Sequence, residues 1–501
     1  MSDPFYITTA IHYPNGRPHI GHAYEMIAAD AIARFQRQHG RDVFFQTGTD
    51  EHGLKMVQTA RARGVSAREL ADEMSSYFHE MADKLDISCD RFIRTSEPEH
   101  HAASQAIWKA MAEAGDLYLD RYEGWYSVRD EAFYEEKELI EGEGEQKLSP
   151  QGTPVEWTTE ETWFFRLSKY QQPLLDFYAA NPDFIRPESR RNEILRFVEG
   201  GLVDLSVSRT SFDWGVPAPD SPGHVMYVWV DALTNYITGA GYPNDPERFA
   251  TWWPADIHLI GKDIVRFHAV YWPAFLMSAK LPLPRQVFGH GFLLNRGEKM
   301  SKSVGNVVDP LALAELYGVD ALRYFLLRDV SFGNDGTFSD EAIVTRANAD
   351  LANSFGNLAQ RTLAFIAKNC EGHVPEGRSD EQDAALLAEV DVACAAFRVA
   401  FEDLALSQGV EAWMGGVFAC NQYIDAQAPW ALRKTDPERM NAVLRTLVQA
   451  IRQLAITILP VIPGSASKLL AQLPSEDDED FRIAPPTPIF PRLELKATEE
   501  A

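Results

Sequence analysis

The opening stretch, from Tyr6 to Gly53, constrains this chain more than any other. Tyr6-Ile7-Thr8-Thr9-Ala10-Ile11 has the β-branched and aliphatic content of a buried strand, and Pro14-Asn15-Gly16 is turn chemistry. Ala23 to Gln38 carries helical apolar spacing that ends at Gly40, and Asp42-Val43-Phe44-Phe45-Gln46-Thr47 reads as a second strand. Strand, helix and strand in that order form a βαβ unit, so a parallel sheet is expected. Where the helix opens stand His19-Ile20-Gly21-His22. A helix start offers unpaired N–H groups and partial positive charge, which suit phosphate. Gly21 admits a ligand close to the backbone, and two imidazoles can donate to phosphoryl oxygens. A nucleotide site is expected there.

Open α/β sheets bind ligands at the carboxyl ends of their strands. The second strand ends in Gly48-Thr49-Asp50-Glu51-His52-Gly53, which makes Asp50 and His52 candidates as well. Standing alone, Asp50 would read as a helix cap and His52 as a surface turn. At 501 residues the chain exceeds a single core, and two to four domains are expected. The α/β pattern of residues 1–115 is interrupted over 116–221 by short aromatic runs and an acidic loop. It resumes over 222–294, with strands near residues 256–260 and 286–293. Residues 346–501 read as a helical bundle with a terminal arm, and no internal repeat is found.

Composition narrows the class of protein. With 45% hydrophobic and 24% charged residues the chain is an ordinary globular one. Its net charge of −26 argues against broad binding of nucleic acid, though a local basic surface could still read single-stranded bases. The four cysteines, Cys89, Cys370, Cys394 and Cys420, are scattered, as reduced cytosolic thiols would be. No secretory signal or membrane-length apolar run is found, so a cytoplasmic location is expected.

Lys299-Met300-Ser301-Lys302-Ser303 lies in a polar loop between Gly297 and Gly305. Two lysines three apart can close on a polyphosphate as its charge shifts. Together with His19-Ile20-Gly21-His22, this pentapeptide resembles the paired signature of class I aminoacyl-tRNA synthetases, and within them the methionyl-tRNA synthetases. Ala10-Ile11-His12-Tyr13, residues 48–53, Tyr227-Val228-Trp229-Val230-Asp231-Ala232, Gly261-Lys262-Asp263 through Phe267-His268, and Ala428-Pro429-Trp430 extend the likeness over almost the whole chain.

The resemblance implies a Rossmann-like catalytic domain split by a connective insertion and followed by an α-helical anticodon-binding bundle, with residues 295–345 holding the lysine loop and a stem-contact region. The implied reaction joins methionine to the α-phosphate of ATP, releases pyrophosphate, and passes the aminoacyl group to the terminal ribose of tRNA(Met), with initiator and elongator forms both as partners. The substrates supply both nucleophiles, so positioning and charge stabilisation are what the protein contributes. His19, His22, Lys299 and Lys302 are the implied catalytic residues. Gly21, Gly261, Asp263 and Lys302 would bind ATP, accompanied by Mg²⁺. Ala10, Ile11, Tyr13, Asp50, Trp229, Ala232, Tyr236, Phe267 and His268 would form the methionine pocket, with Asp50 on the ammonium and aromatics around the thioether. Asn357, Arg361, Pro429 and Trp430 would read the anticodon.

Many relatives carry a cysteine-ligated zinc knuckle in the insertion, but here Ser127, Asp130 and Ser149-Pro150-Gln151-Gly152 stand where thiolates would be. No structural zinc is expected, the knuckle being held instead by Trp125, Tyr126 and Trp157. Without the appended C-terminal domain of some relatives, a monomer is expected. Homocysteine lacks one methyl, worth about 1–3 kcal/mol in an apolar pocket, so its activation and release as thiolactone are expected. Two other readings are another adenylate-forming ligase of this group and a noncatalytic tRNA-binding scaffold. The bundle with Trp430 speaks against the first, and intact His19, His22, Lys299 and Lys302 speak against the second.

Overall fold

A computed structural model of the chain describes residues 3–129, 132–142, 144, 146–300, 306–474 and 481–495. It divides into two compact units, residues 1–29 with 40–290, and residues 30–39 with 291–501.

In the first unit β1 (Pro4–His12) runs into α1 (Ile20–Gln38), whose residues from Asp30 on count with the second unit. Then come β2 (Asp42–Thr49), α2 (Leu54–Arg63), α3 (Ala67–Lys84), β3 (Arg91–Arg94) and α4 (Pro98–Glu113). An antiparallel pair, β4 (Leu117–Ser127) and β5 (Glu156–Phe165), heads the insertion. The chain returns through β6 (Ile185–Arg186), α5 (Val228–Gly239), β7 (Ile257–Gly261) and β8 (Val287–His290). Six strands form one parallel sheet in the order β3-β2-β1-β7-β8-β6. Phe5 through Ala10 are all buried, as a central parallel strand with both faces covered must be. The winding reverses between β1 and β7, and that is where such a sheet opens a ligand crevice. The pairing of β1 with β2 slips between Thr8 and Ile11. There the Thr9 hydroxyl donates to its neighbour's carbonyl, Ala10 O, at 2.7 Å, and such bulges re-aim side chains near sites.

Three elements differ from the sequence expectation. The α/β pattern resuming at 222 begins not with a sheet strand but with a two-residue pairing, Val225–Met226 to Ser208–Arg209, followed by α5. A short apolar run buried on every side has no period to distinguish strand from helix. The insertion itself supplies an edge strand, Ile185–Arg186, too short to leave a pattern. The strand expected over 286–293 breaks after His290, because Gly291 lies against the backbone of Asn334, where a Cβ would fall 2.1 Å from the carbonyl carbon.

Within the insertion, the hydroxyls of Ser127 and Ser149 lie 2.6 and 2.8 Å from that of Thr153, and all three residues are buried. Trp125 and Trp157 meet edge to face at 5.4 Å. Buried hydroxyls need partners, and these three supply one another. Asp130 lies outside the described residues.

The second unit holds a three-stranded sheet of Leu293–Asn295, Glu298–Lys299 and Gly336–Phe338. Its helices include α6 (Asn357–Asn369), α7 (Glu381–Glu402), α8 (Leu406–Gln427), α9 (Pro429–Thr435) and α10 (Pro437–Ile458). Between α7 and α8 the chain turns where Leu404 takes φ +58°. Arg323 is fully buried. It pairs with Asp30 at 2.6 Å and donates to the carbonyls of Pro460 and Val461, the compensation a buried charge requires. Among the described residues no helix is long and apolar enough to cross a membrane.

Candidate active site

The histidine pair is organised by its own backbone. The N–H of Gly21 donates to His19 Nδ1 at 3.1 Å, and the N–H of His19 donates to His22 Nδ1 at 3.1 Å. Each ring therefore accepts at Nδ1 and carries its proton at Nε2. The rings stack at 3.7 Å, so two Nε2–H donors are presented together at the start of α1. Gly21 is required by this packing, since a Cβ there would lie 2.9 Å from His19 Cε1. An Nε2 proton on each of two stacked rings at a helix N-terminus suits donation to phosphoryl oxygens.

Across the switch point, β7 ends at Gly261, and Asp263 follows in an exposed single turn. A Cβ at Gly261 would stand 2.8 Å from Asp263 Oδ1, so glycine leaves the carboxylate its place. At the ends of β1 and β2, Ala10 and Asp50 are buried, while Ile11 and Tyr13 are half-buried. Asp50 N donates to His12 O at 2.9 Å, and the Tyr13 hydroxyl accepts from Met56 N at 3.1 Å.

The aromatic group is brought together by α5 and the π-turn after β7. Trp229 and Phe267 stack face to face at 3.8 Å. The Tyr236 hydroxyl lies 2.6 Å from His268 Nε2, and His268 Nδ1 lies 3.0 Å from Ile264 O. A carbonyl can only accept, so His268 donates at Nδ1 and accepts from Tyr236 at Nε2. Burial pushes the His268 imidazole down to about 4, which keeps it neutral. Burial likewise holds the Tyr236 phenol well above its ordinary range, and the Asp50 carboxylate adds to that rise. Ala232, also on α5, is buried. The polar atoms of Tyr236 and His268 satisfy each other and the backbone, so the group offers apolar faces. A cavity of about 710 Å³ beside the insertion, lined by Trp125, Trp157, Arg196 and Tyr271 among others, touches none of these residues.

In the second unit Lys299 lies in a two-residue strand, while Lys302 lies outside the described residues. Asn357 and Arg361 occupy successive turns of α6, and the Arg361 guanidinium sits 4.9 Å above the ring of Trp430. Pro429 is buried at the start of α9, whereas Trp430 is 46% exposed and so is not bundle core. Asp425 holds Arg361 at 2.8 Å. A guanidinium over an exposed indole, with an amide one turn away, makes a stacking platform with base-edge donors.

A family model described as class I tRNA synthetases (M) matches residues 5–363, and one described as the anticodon-binding domain of methionyl tRNA ligase matches residues 374–484. The chain belongs to the methionyl-tRNA synthetase family. It is similar to the methionine–tRNA ligase of Brucella suis biovar 1, with 58% identity over 99% of both chains. It is also similar to that of Mycobacterium tuberculosis H37Rv, with 56% identity over 98% of both. Among solved structures it resembles Mycobacterium tuberculosis methionyl-tRNA synthetase in complex with methionyl-adenylate. That match has a TM-score of 0.95 and 55% identity, covering 98% of this chain and 100% of the other. The free form of the same protein matches at a TM-score of 0.88 and 51% identity over 99% of each. With the family comes the activity, the ATP-dependent ligation of methionine to tRNA.

Two buried polar groupings leave no trace as groupings in the sequence, although His52 stands out there by itself as a candidate. Glu25 takes His290 Nε2 at 2.7 Å and lies 4.0 Å from His12 Nδ1. Burial lowers the His12 imidazole, with the Glu25 carboxylate opposing that shift. Glu25 is three residues after His22 on one helix, a spacing that could have flagged it; the approach of His290, from the far end of the unit, leaves no local trace. The second grouping joins His52 to Asp231.

Proposed function

We propose that this family activity runs on the residues named above. Methionine is held by Asp50 through its ammonium and by Trp229, Tyr236 and Phe267 around its thioether, with Ala10, Ile11, Tyr13, Ala232 and His268 completing the pocket. Its carboxylate oxygen attacks the α-phosphorus of ATP, the bond to the β-phosphate oxygen breaks, and pyrophosphate leaves. His19 and His22 donate from Nε2 to phosphoryl oxygens as charge grows, while Lys299 and Lys302 close on the pyrophosphate. Asp263 accepts from the ribose hydroxyls. The terminal ribose hydroxyl of tRNA then attacks the aminoacyl carbonyl and displaces AMP. The observation that supports this reading is the tautomer His19 and His22 share, each accepting at Nδ1 with its proton at Nε2 on rings stacked at 3.7 Å.

Mg²⁺ accompanies ATP through its phosphates and water. Among the described residues no group of three or more His, Cys, Asp or Glu side chains is arranged to hold a metal ion. Asn357, Arg361, Pro429 and Trp430 receive the anticodon of both initiator and elongator tRNA(Met). The enzyme acts as a cytoplasmic monomer without structural zinc, residues 116–221 forming the connective insertion. ATP–pyrophosphate exchange tested with each of the twenty amino acids checks the reading, with methionine expected to give the strong signal. Exchange with another amino acid alone would overturn it.

A further inference from the structure

Asp231 lies in the first turn of α5, and its carboxylate is divided between two imidazoles. Its Oδ2 is 2.6 Å from His52 Nδ1, and its Oδ1 is 2.6 Å from His100 Nε2. The three side chains are 1%, 3% and 0% exposed. Burial alone would raise the Asp231 carboxyl; the two imidazoles outweigh it and hold the group below the usual carboxylate range. His100 comes from α4, and its Nδ1 also meets the Thr238 hydroxyl on α5 at 3.1 Å. His52 stands two residues beyond Asp50, in the loop that follows β2, with Trp214 and His101 each 5.3 Å from its ring.

This triad joins two elements that carry residues assigned above to the amino-acid pocket. The loop after β2 begins with Asp50, and α5 carries Trp229, Ala232 and Tyr236. We propose that Asp231 is a positioning residue for the amino-acid site, holding the Asp50 loop at a fixed distance from the aromatic wall of α5 through His52. The proposal rests on the assignment of Asp50 and Trp229 to methionine. Both Asp231 oxygens are committed to histidines, so it acts through His52 and not on substrate. A buried charge costs desolvation that apolar packing would avoid, and what it supplies instead is directional geometry. Such geometry matters because a displacement of about 1 Å can cost on the order of 10²-fold in rate. His52, a candidate ligand contact in the sequence, is thereby assigned to holding the loop.

The test uses Asp231→Asn in the full chain, which keeps the shape and one acceptor but loses the charge. In ATP–pyrophosphate exchange, methionine KM is expected to rise about tenfold or more while ATP KM stays within about twofold. His52→Gln cuts only the arm to the Asp50 loop and is expected to give the same split. His100→Gln cuts the arm to α4 and is expected to lower Tm while moving methionine KM by less than about twofold. Should Asp231→Asn fail to fold, His52→Gln decides. Unchanged methionine KM in His52→Gln, or equal shifts in methionine and ATP KM, overturns the proposal. Asp50→Ala is run alongside: if it too leaves methionine KM unchanged, the amino-acid site assignment has failed, and with it the proposal. If it raises KM and His52→Gln does not, only the positioning role has failed.

Discussion

The amino-acid end of the first unit and the Arg361–Trp430 corner of the second are built on opposite physical terms. Around Tyr236, His268 and Asp231 the polar atoms are buried and paired at 2.6–3.0 Å, so each side chain has one orientation and each partner is committed before substrate arrives. At the corner, Trp430 is half exposed and Arg361 is held by one surface carboxylate and a ring face. The first arrangement suits discrimination of a small molecule, since water is excluded and an unpaired buried group is costly. The second suits a large, charged, single-stranded ligand, where stacking tolerates adjustment and water shares the polar contacts. On the proposed assignments, one chain keeps chemistry where geometry is rigid and macromolecular reading where it can give.

That contrast can be broken or sharpened by experiment. The largest effect is expected at the phosphate site. His22→Ala and Lys302→Ala should each lower methionyl-adenylate formation by about 10²-fold or more, as loss of a charge-stabilising donor does, with tRNA binding within about twofold. A single-turnover adenylate assay beside a filter-binding titration measures both, and a His22→Ala enzyme that forms adenylate normally would remove His22 from the chemistry. Next comes Trp430→Ala. Loss of one stacking platform is worth about 1–3 kcal/mol, so kcat/KM for tRNA charging should fall about 5- to 150-fold. ATP–pyrophosphate exchange should be almost intact; equal loss in both would make Trp430 a structural residue and dissolve the contrast.

Smaller effects separate the buried site from ordinary packing. Tyr236→Phe removes the hydroxyl that donates to His268 Nε2, costing about 1 kcal/mol, or about fivefold in methionine KM. Since burial pushes His268 down to about 4, its ring is neutral across the working range. Methionine KM should then stay flat from about pH 8 to pH 5 and rise only as the imidazole begins to protonate below that. A KM rising already through pH 6.5 would show an imidazole exposed to water. The smallest effect is expected in the insertion. With hydroxyls of Ser127, Ser149 and Thr153 bonded to one another, a chelator should move Tm by less than about 1 °C. Stoichiometric zinc in the purified protein would reverse that expectation.

Much of the catalytic unit was legible along the chain because βαβ folding is written locally. The period of α1, the turn at Pro14-Asn15-Gly16 and the polar ends of β1, β2 and β7 all announce a parallel sheet with ligands at one edge. What escaped was either too short or too evenly apolar to carry a period, as with Ile185–Arg186 and the start of α5. The site divides in the same way. His19 and His22 stand out because a helix start lies beside them, whereas His100 and Glu25 look like any polar residue on a helix face. Their roles depend on partners more than a hundred residues away.

By itself, the sequence determined the succession of an α/β half and a helical half, the histidine turn at the start of α1 and the family, because local propensity and short motifs need no distant contact. Only the tertiary structure decided which nitrogen of His19 and His22 carries the proton, that Trp430 faces solvent beneath Arg361, and that Asp231 gathers His52 and His100. Those facts are set by burial and by hydrogen-bond partners that the chain assembles only on folding. A carboxylate with both oxygens committed in an interior of low polarity has one arrangement, and no local pattern encodes it.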